Sequence, residues 1–384
     1  MTVRGNKPAI NVREELADLR KPTGIAGEAM LRAETPQEQF NLIGAGRRRI
    51  NHNGGMRIAQ RGTSSTSNGY LVDRYKSYNT TGATFTQSQG TTSPPEGFGH
   101  YLKINTDTAD TSIGTSEYFQ LSHGVEGQDV IGSGWGTSSA IPITLSFWVK
   151  SNVTGTYVVE IQTGLGSYES SHNYTVNASG VWEYKTVTFP AFTSTAIPMD
   201  NTAGFYLSWW LAAGSTWNTG TISPEWTSGN SGRAAGQVNL FAAQNNYWQI
   251  TGVQLELGKV ATPFEHRSYG DELARCQRYC VVYENGTALA GNAANTSDFQ
   301  SRFQYPVVMR AKPSASIVSG TDYRISDDYF SDHVAATLGI AAINTSDLGC
   351  RLTLSGFSGL TAGRTYAGVY NTAQDAKIMF DAEL

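Results

Sequence analysis

A series of short apolar and aromatic segments, separated by turn residues, constrains the fold of this chain more than any other feature. Glycine, proline, serine or asparagine stands between successive segments, and strands of this length and spacing are typical of a β-sandwich. The chain has 41 glycines and only 16% charged residues, a balance that favours many short strands over long helices. The candidate strands begin at Tyr70, Ala83, His100, Glu117, Ile143, Thr156, Trp182, Gly204 and Tyr247.

The last of these segments leads into a corner and a helix. In VQLEL, residues 253–257, apolar and polar side chains alternate as in a strand with one buried face, and Gly258 ends it. Pro263 favours an extended approach, and Ser268 is a candidate N-cap. Helical spacing then relates Tyr269, Leu273 and Cys276 or Cys280. The pattern predicts a sandwich over residues 50–265, a junction helix over 266–280 and a small β domain over 281–384, so the fold class is mainly β.

Residues 1–49 have a different pattern, which predicts a helical arm. Thr35, Pro36 and Glu38 form a capping box at the start of one helix. Helices this short are not stable alone in water, so we expect the arm to pack on a larger assembly. An unstructured leader is the alternative. The apolar positions expected to make the attachment are Val12, Leu16, Leu19, Phe40 and Ile43.

Four motifs resemble a known group of proteins. They are NHNGGMRIAQRGTS at 51–64, ITGVQLELG at 250–258, FQYPVVMRAKPSASI at 303–317 and IMFDAEL at 378–384. These sequence motifs resemble those of tailed-bacteriophage virion proteins, namely tail fibres and receptor-binding proteins. In those proteins a jelly-roll, carbohydrate-module-like sandwich is followed by a small C-terminal β domain.

The resemblance implies a function and an assembly. The chain would be a virion protein, made in the host cytoplasm, that forms a homotrimer, joins other virion proteins through its arm and binds a host-surface glycan. IMFDAEL would be a final core strand. A purely structural decoration or fibre protein of the capsid or tail, without receptor binding, is the alternative.

Charge and composition exclude several other partners. The net charge of −4 provides no overall attraction to nucleic acid. No segment approaches the ~20 apolar residues of a spanning helix, and the start of the chain has no signal-peptide pattern, so neither membrane insertion nor secretion by a signal peptide is expected. The three cysteines, Cys276, Cys280 and Cys350, lack zinc-site spacing, so we expect reduced thiols, no metal and no cofactor.

The sequence offers no catalytic constellation, and we expect no enzyme activity. Glycosidases need two placed carboxylates, but the close acidic pairs lie in segments that resemble turns or a helix start. The six histidines are scattered, and no nucleophile elbow or phosphate-binding loop is present. The acidic pairs are Asp107 with Asp110, Asp271 with Glu272, and Asp327 with Asp328.

Tryptophan supplies the candidate carbohydrate site. Trp209 and Trp210 are consecutive in a strand, so one of them faces outward. Trp217 and Trp226 lie in the following loop, residues 214–246, among hydroxyl and amide side chains. Flat aromatic faces beside hydrogen-bonding groups suit a sugar ring, so Trp217, Trp226 and Trp210 are the predicted contacts. Alternatively, the loop tryptophans anchor the loop, since a loop of about 30 residues needs such anchors to be ordered.

Overall fold

The computed structural model describes Arg32, Gln39 and residues 49–164, 166–229, 232–284, 287–319, 321–327, 331–343, 345–371, 373 and 375–384. The chain divides into two units, 1–48 and 49–384, and the second is described here. Val12, Leu16, Leu19, Phe40 and Ile43 lie outside the described residues. The helical arm and its attachment role therefore stay predictions.

The first half of this unit is a sandwich of two six-stranded antiparallel sheets. Sheet A has the order β1-β4-β5-β12-β7-β10, and sheet B the order β2-β3-β6-β11-β8-β9. The strands are β1 (Ser64–Ser65), β2 (Gly69–Tyr70), β3 (Lys76–Asn79), β4 (Thr84–Gly90), β5 (Tyr101–Thr108), β6 (Tyr118–Glu126), β7 (Ile143–Ser151), β8 (Gly155–Thr163), β9 (Glu169–Val176), β10 (Glu183–Phe189), β11 (Ala203–Ala213) and β12 (Tyr247–Leu257). Short 3-10 helices lie at Gly127–Ser133 and Leu240–Ala242, and helix α1 spans Ser215–Asn218.

Alternation along the strands places one set of side chains between the two sheets. In β7, Leu145, Phe147 and Val149 are fully buried in the core, and the residues between them face outward. Trp209 of β11 and Trp248 of β12 meet in the same core, with ring centroids 6.5 Å apart. The prediction of a mainly β protein is confirmed, and every predicted strand segment contributes at least one strand.

Two details of the predicted strands are wrong. The segment from Tyr70 to Tyr78 is not one strand, because a turn at Arg74, with φ of 75°, separates β2 from β3. Strand β9 is absent from the prediction because its sequence, ESSHNYTV, is mostly polar. It forms an edge of sheet B, and loop residue Thr227 pairs with Glu169, which is how polar residues there become buried.

The motifs at 51–64 and 250–258 contact each other at a bulge in β12. The Asn51 side chain accepts from Leu255 N at 2.9 Å and donates to the Val253 carbonyl at 2.9 Å. Gly54 lies so close that an added Cβ would be 1.9 Å from the Val253 carbonyl oxygen. The packing of the first and last segments of the sandwich against each other therefore explains the residues found in these two motifs.

Helix α2 (Tyr269–Gln277) lies at the junction, and the Ser268 side chain accepts from Asp271 N at 3.2 Å, as an N-cap does. Cys276 lies in the helix and is buried, but the residues that helical spacing relates do not form one buried stripe. Tyr269 is 53% exposed, whereas Glu272 is buried because it pairs with Arg49. Cys280 is the first residue of a strand and does not belong to the helix.

The second half is a smaller β unit built from two sheets. A three-stranded sheet has the order β13-β22-β16, and a seven-stranded sheet has the order β18-β17-β21-β14-β15-β20-β19. Its strands are β13 (Cys280–Glu284), β14 (Thr287–Ala293), β15 (Asp298–Gln304), β16 (Ser314–Ser319), β17 (Tyr323–Asp327), β18 (Asp332–Ala335), β19 (Gly339–Ile343), β20 (Gly349–Ser355), β21 (Thr365–Tyr370) and β22 (Lys377–Asp381). Most of IMFDAEL forms β22, which lies between two partner strands with Phe380 fully buried.

Buried charges join the two halves. Glu126, at the end of β6, is fully buried and accepts from Arg278 Nε and Nη2, both at 2.8 Å, and from the Tyr279 hydroxyl. Arg74 is also fully buried and pairs with Glu383 near the end of the chain. Because a buried charge without its partner is costly, these pairs fix the second half against the sandwich.

Candidate functional site

The outer side of sheet A carries a group of aromatic rings, and all of them except the buried Tyr101 are partly exposed. All of these residues except Trp182, which precedes β10, alternate with core residues of the same strands, so their side chains point away from the core. Tyr184 is 45% exposed, and most of the others are half-buried. We call this group the aromatic face; it consists of Tyr101, Trp148, Trp182, Tyr184 and Tyr247.

Strand register explains how the rings come together. Trp148 of β7 lies directly opposite Tyr184 of β10, and their ring centroids are 5.4 Å apart. Tyr101 belongs to β5 and Trp182 precedes β10, yet their ring centroids are only 5.6 Å apart. Since β12 and β7 lie between these strands, the two side chains reach toward each other across the middle of the sheet.

Two polar side chains of β12 lie between these rings in the strand order. Gln249 is opposite Lys103 on one side and Lys150 on the other, and Thr251 is opposite Trp148. Gln249 is 6% exposed and Thr251 is fully buried. Gln249 Oε1 and Thr251 Oγ1 have no hydrogen-bond partner among the residues that the structure describes. Buried polar atoms are normally paired, so these two atoms could accept or donate hydrogen bonds to a ligand rich in hydroxyl groups.

The face also carries two lysines beside aromatic rings. Lys103 Nζ lies 5.1 Å from the Tyr247 ring centroid, and Lys150 Nζ lies 5.9 Å from that of Trp182. Neither lysine forms an ion pair with a carboxylate in the part of the chain that the structure describes. Flat rings, amide and hydroxyl groups and unpaired ammonium groups together can bind the CH faces and the oxygen atoms of sugars.

The predicted contact Trp210 lies on the outer side of sheet B and is covered. Its ring is 1% exposed and packs beside Trp217, at 6.0 Å between centroids, and beneath Arg233. Trp217 is half-buried and donates from Nε1 to the Ser116 carbonyl at 3.1 Å. Sugar stacking on Trp210 would therefore require the loop over sheet B to move.

Trp226 contacts the main core. Its ring lies 5.2 Å from Trp135 and 4.8 Å from Phe192, and its Nε1 donates to the Pro190 carbonyl at 2.9 Å. These contacts favour the anchoring alternative for this residue. The carbohydrate role of Trp210, Trp217 and Trp226 stays a prediction, and the structure does not bring Trp226 together with the other two.

The aromatic face is not among the predicted sites, although one feature of the sequence indicates it. Phe147 and Trp148 are consecutive in a predicted strand, as Trp209 and Trp210 are, so one ring of each pair had to face outward. What alternation cannot show is which outer side a long loop covers. Trp217, Ile222 and Ala234 of the loop pack on sheet B, and most of the rings of sheet A remain partly exposed.

The acidic pairs have structural contacts. Asp110 accepts from Ser112 N at 3.0 Å and from Gly82 N at 2.9 Å, as in a turn. Asp271 lies in the first turn of α2, and Asp328 lies outside the described residues. Cys276, Cys280 and Cys350 are buried free thiols, and burial raises the pKa of each.

Within the described ranges, no three His, Cys, Asp or Glu side chains cluster in a way that could hold a metal ion. The helices in the same ranges include none with both the length and the apolar character to cross a membrane.

Comparison with known proteins gives only distant matches. No family model matches the chain, and no curated protein does. Among solved structures, it resembles the enzymatically active domain of bacteriophage CBA120 tailspike protein 4, with a TM-score of 0.30, 10% identity, and coverage of 54% of this chain but only 21% of that one.

Two carbohydrate-binding modules match at the same level. The family 11 module of the Clostridium thermocellum cellulase Lic26A-Cel5E has a TM-score of 0.27 and 12% identity, over 53% of this chain and 98% of that one. TmCBM61, solved in complex with β-1,4-galactotriose, has a TM-score of 0.29 and 12% identity, over 55% and 99%. At TM-scores this low, none of these similarities carries an inference about function.

Proposed function

We propose that this protein is a glycan-binding component of a bacteriophage virion and that the aromatic face of sheet A is its binding surface. The observation that carries the proposal is the row of partly exposed rings above Gln249 and Thr251, whose Oε1 and Oγ1 atoms are buried without partners. A bound glycan would place ring CH groups on the aromatic side chains and hydroxyl groups near the polar ones. The role is one of binding and involves no catalytic step.

The virion placement has a separate basis. It rests on the resemblance of the motifs at 51–64, 250–258, 303–317 and 378–384 to phage virion proteins. In this proposal the sandwich is the jelly-roll module, residues 1–49 attach the chain to other virion proteins, and three copies form the fibre. A trimer would compensate for weak binding at each single site through multivalency.

The binding surface is tested by a matched pair of tyrosines. Tyr247 and Tyr78 are both half-buried, and each has a lysine over its ring, but Tyr247 is on sheet A and Tyr78 on sheet B. On a panel of bacterial surface polysaccharides, Tyr247→Ala should weaken binding about tenfold, as loss of a ring contact does, and Tyr78→Ala should leave it unchanged. Equal effects of the two substitutions would contradict the proposal.

Assembly has its own tests. Light scattering should give three times the 41.5 kDa mass of one chain, and a monomer at micromolar concentration would contradict the trimer. Deletion of residues 1–45 should leave the thermal transition unchanged and abolish incorporation into particles. Full incorporation of the shortened chain would contradict the attachment role. A structural decoration protein would assemble in the same way but bind no polysaccharide on the panel.

A further inference from the structure

A cavity of about 230 Å³ lies next to the aromatic face, and its lining includes the arginines Arg49, Arg57 and Arg267 but only one carboxylate, Glu272. Its walls come from the segment after Arg49, from residues 97–100 and from residues 264–272. The side chains that matter most are Arg57, Phe98, His100, Phe264, His266 and Arg267. The cavity is smaller than the ~300–1,000 Å³ of sites for drug-sized ligands, so it suits a single sugar unit.

Arg267 provides a buried donor with no partner. Its side chain is only 5% exposed; Nε binds Glu265 at 3.1 Å and Nη2 donates to the Arg49 carbonyl at 2.6 Å. Within the described part of the chain, the remaining nitrogen, Nη1, is buried and makes no hydrogen bond. His100 Nδ1 is also buried and has no partner there. Since an unpaired buried donor is costly, the cavity is suited to a ligand that supplies acceptor oxygens.

The charges around the cavity leave a positive excess. Arg49 pairs with Glu272, and Arg267 pairs with Glu265. Arg57 forms no ion pair with any carboxylate in the described ranges; its guanidinium lies 5.6 Å from the Tyr269 ring centroid. The cavity and its immediate neighbours therefore hold one uncompensated positive charge.

The ionisation of the neighbouring groups agrees with this excess. Burial, followed by the charge of Arg49, lowers the pKa of Arg267. Burial and nearby arginines lower the pKa of His100 and of His266, which favours the neutral rings, and a neutral ring has one N–H donor. An anion in the cavity would relieve the repulsion among these arginines.

Aromatic rings form the apolar part of the wall and connect the cavity to the aromatic face. Phe98 contacts Phe264 and His266, with ring centroids 5.0 and 5.4 Å apart. On its other side Phe98 approaches Trp148 at Gly252, where an added Cβ would lie 2.8 Å from one ring and 2.9 Å from the other. A glycan on the aromatic face could thus extend one sugar ring past Phe98 into the cavity.

We infer that this cavity binds the carboxylate of an acidic sugar, with Arg57 and Arg267 donating to its oxygens and Phe98 and Phe264 against the sugar ring. The inference rests on the proposed glycan binding and adds its ligand class: an acidic polysaccharide, such as one that contains uronic acid.

The test compares a uronate-containing oligosaccharide with the same oligosaccharide after reduction of its carboxylate to the alcohol. Calorimetry should show that the wild-type protein binds the acidic form about tenfold more tightly, as expected for a hydrogen-bonded charge. Arg57→Gln should remove that preference and keep the melting temperature. Arg302→Gln, at an exposed arginine of β15, is the matched control and should keep the preference.

The outcomes separate the two proposals. If both forms bind equally and Arg57→Gln changes nothing, the acidic-sugar inference is overturned and glycan binding stands. If the protein binds neither form and no polysaccharide of the panel, the proposed glycan binding is contradicted, and the acidic-sugar inference that rests on it is contradicted as well. If inorganic phosphate competes as well as free glucuronate does, the cavity is a general anion site and the assignment of a sugar carboxylate is wrong.

Discussion

Replacing Glu126 with Gln should destabilise the protein far more than an exposed carboxylate substitution, because this buried side chain is one of those that join the two β units. Its carboxylate is fully buried and receives two hydrogen bonds from Arg278 at 2.8 Å, one from the Tyr279 hydroxyl and one from Gln128 Nε2 at 2.6 Å. The amide introduced by Glu126→Gln would have one acceptor oxygen in place of two and no charge.

The size of the effect follows from burial. Breaking a buried ion pair costs ~3–5 kcal/mol, and because Arg278 is 28% exposed, water can solvate part of its charge. We therefore expect Glu126→Gln to cost about 3 kcal/mol. The matched control is Asp332→Asn, whose partner Arg324 is also 28% exposed but whose own carboxylate is 35% exposed. A pair of that kind contributes ~0–1 kcal/mol.

Urea unfolding can measure both variants with two probes. All eight tryptophans lie between residues 135 and 248, so their fluorescence reports on the first sandwich alone, whereas far-ultraviolet circular dichroism reports on both β units. If the buried charges couple the units, the two probes should give one coincident transition in the wild-type protein. A loss in Glu126→Gln no larger than that in Asp332→Asn would refute the coupling.

Three further substitutions follow from single contacts. Trp226→Ala should lower the unfolding free energy by about 2 kcal/mol, less than the ~3–5 kcal/mol of a fully buried Trp, and an unchanged stability would contradict its anchoring contacts. Gly54→Ala should lower the unfolding free energy by about 3 kcal/mol because the added Cβ would lie 1.9 Å from the Val253 carbonyl oxygen. Gly270→Ala, with open space around the added Cβ, should leave the unfolding free energy unchanged. Similar effects of the two substitutions would contradict the close contact between Gly54 and Val253. Burial lowers the pKa of His123 well below its ordinary 6.5, so below pH 6.5 the unfolded chain binds a proton that the folded chain does not. The free energy of unfolding in urea should therefore decrease as the pH falls below 6.5, and His123→Asn should reduce the slope of that decrease by ~1.4 kcal/mol per pH unit. An equal slope in the variant would contradict the lowered pKa of His123.

Much of the fold follows from local patterns in the sequence. Alternation along β7 and β12 identifies which residues form the core, and Ser268 marks the start of the junction helix. Strand β9 could not be found in this way, because its buried polar residues bond to partners distant in sequence, such as Ser170, whose hydroxyl donates to the Pro224 carbonyl at 2.5 Å. The bonds between Glu126 and Arg278 are equally non-local, so no pattern in either segment indicates them.

The candidate site was less predictable than the fold. Aromatic residues in strands are identifiable from sequence, but exposure depends on which sheet a loop covers, and that is decided by tertiary contacts such as the one between Trp217 and Ser116. The cavity near Phe98 is assembled from three segments separated by up to about 220 residues. No local spacing rule relates Arg57 to Arg267.

The central claim is that the glycan binds on the aromatic face of sheet A. The most direct test takes one polysaccharide that the wild-type protein binds and measures its affinity for two tryptophan variants. Trp182 lies on the aromatic face of sheet A, and Trp217 lies in the loop over sheet B. With folding of both variants verified by circular dichroism, Trp182→Ala should weaken binding at least tenfold and Trp217→Ala should keep the wild-type affinity. Full binding by Trp182→Ala together with loss of binding by Trp217→Ala would contradict the account and place the sugar on the loop.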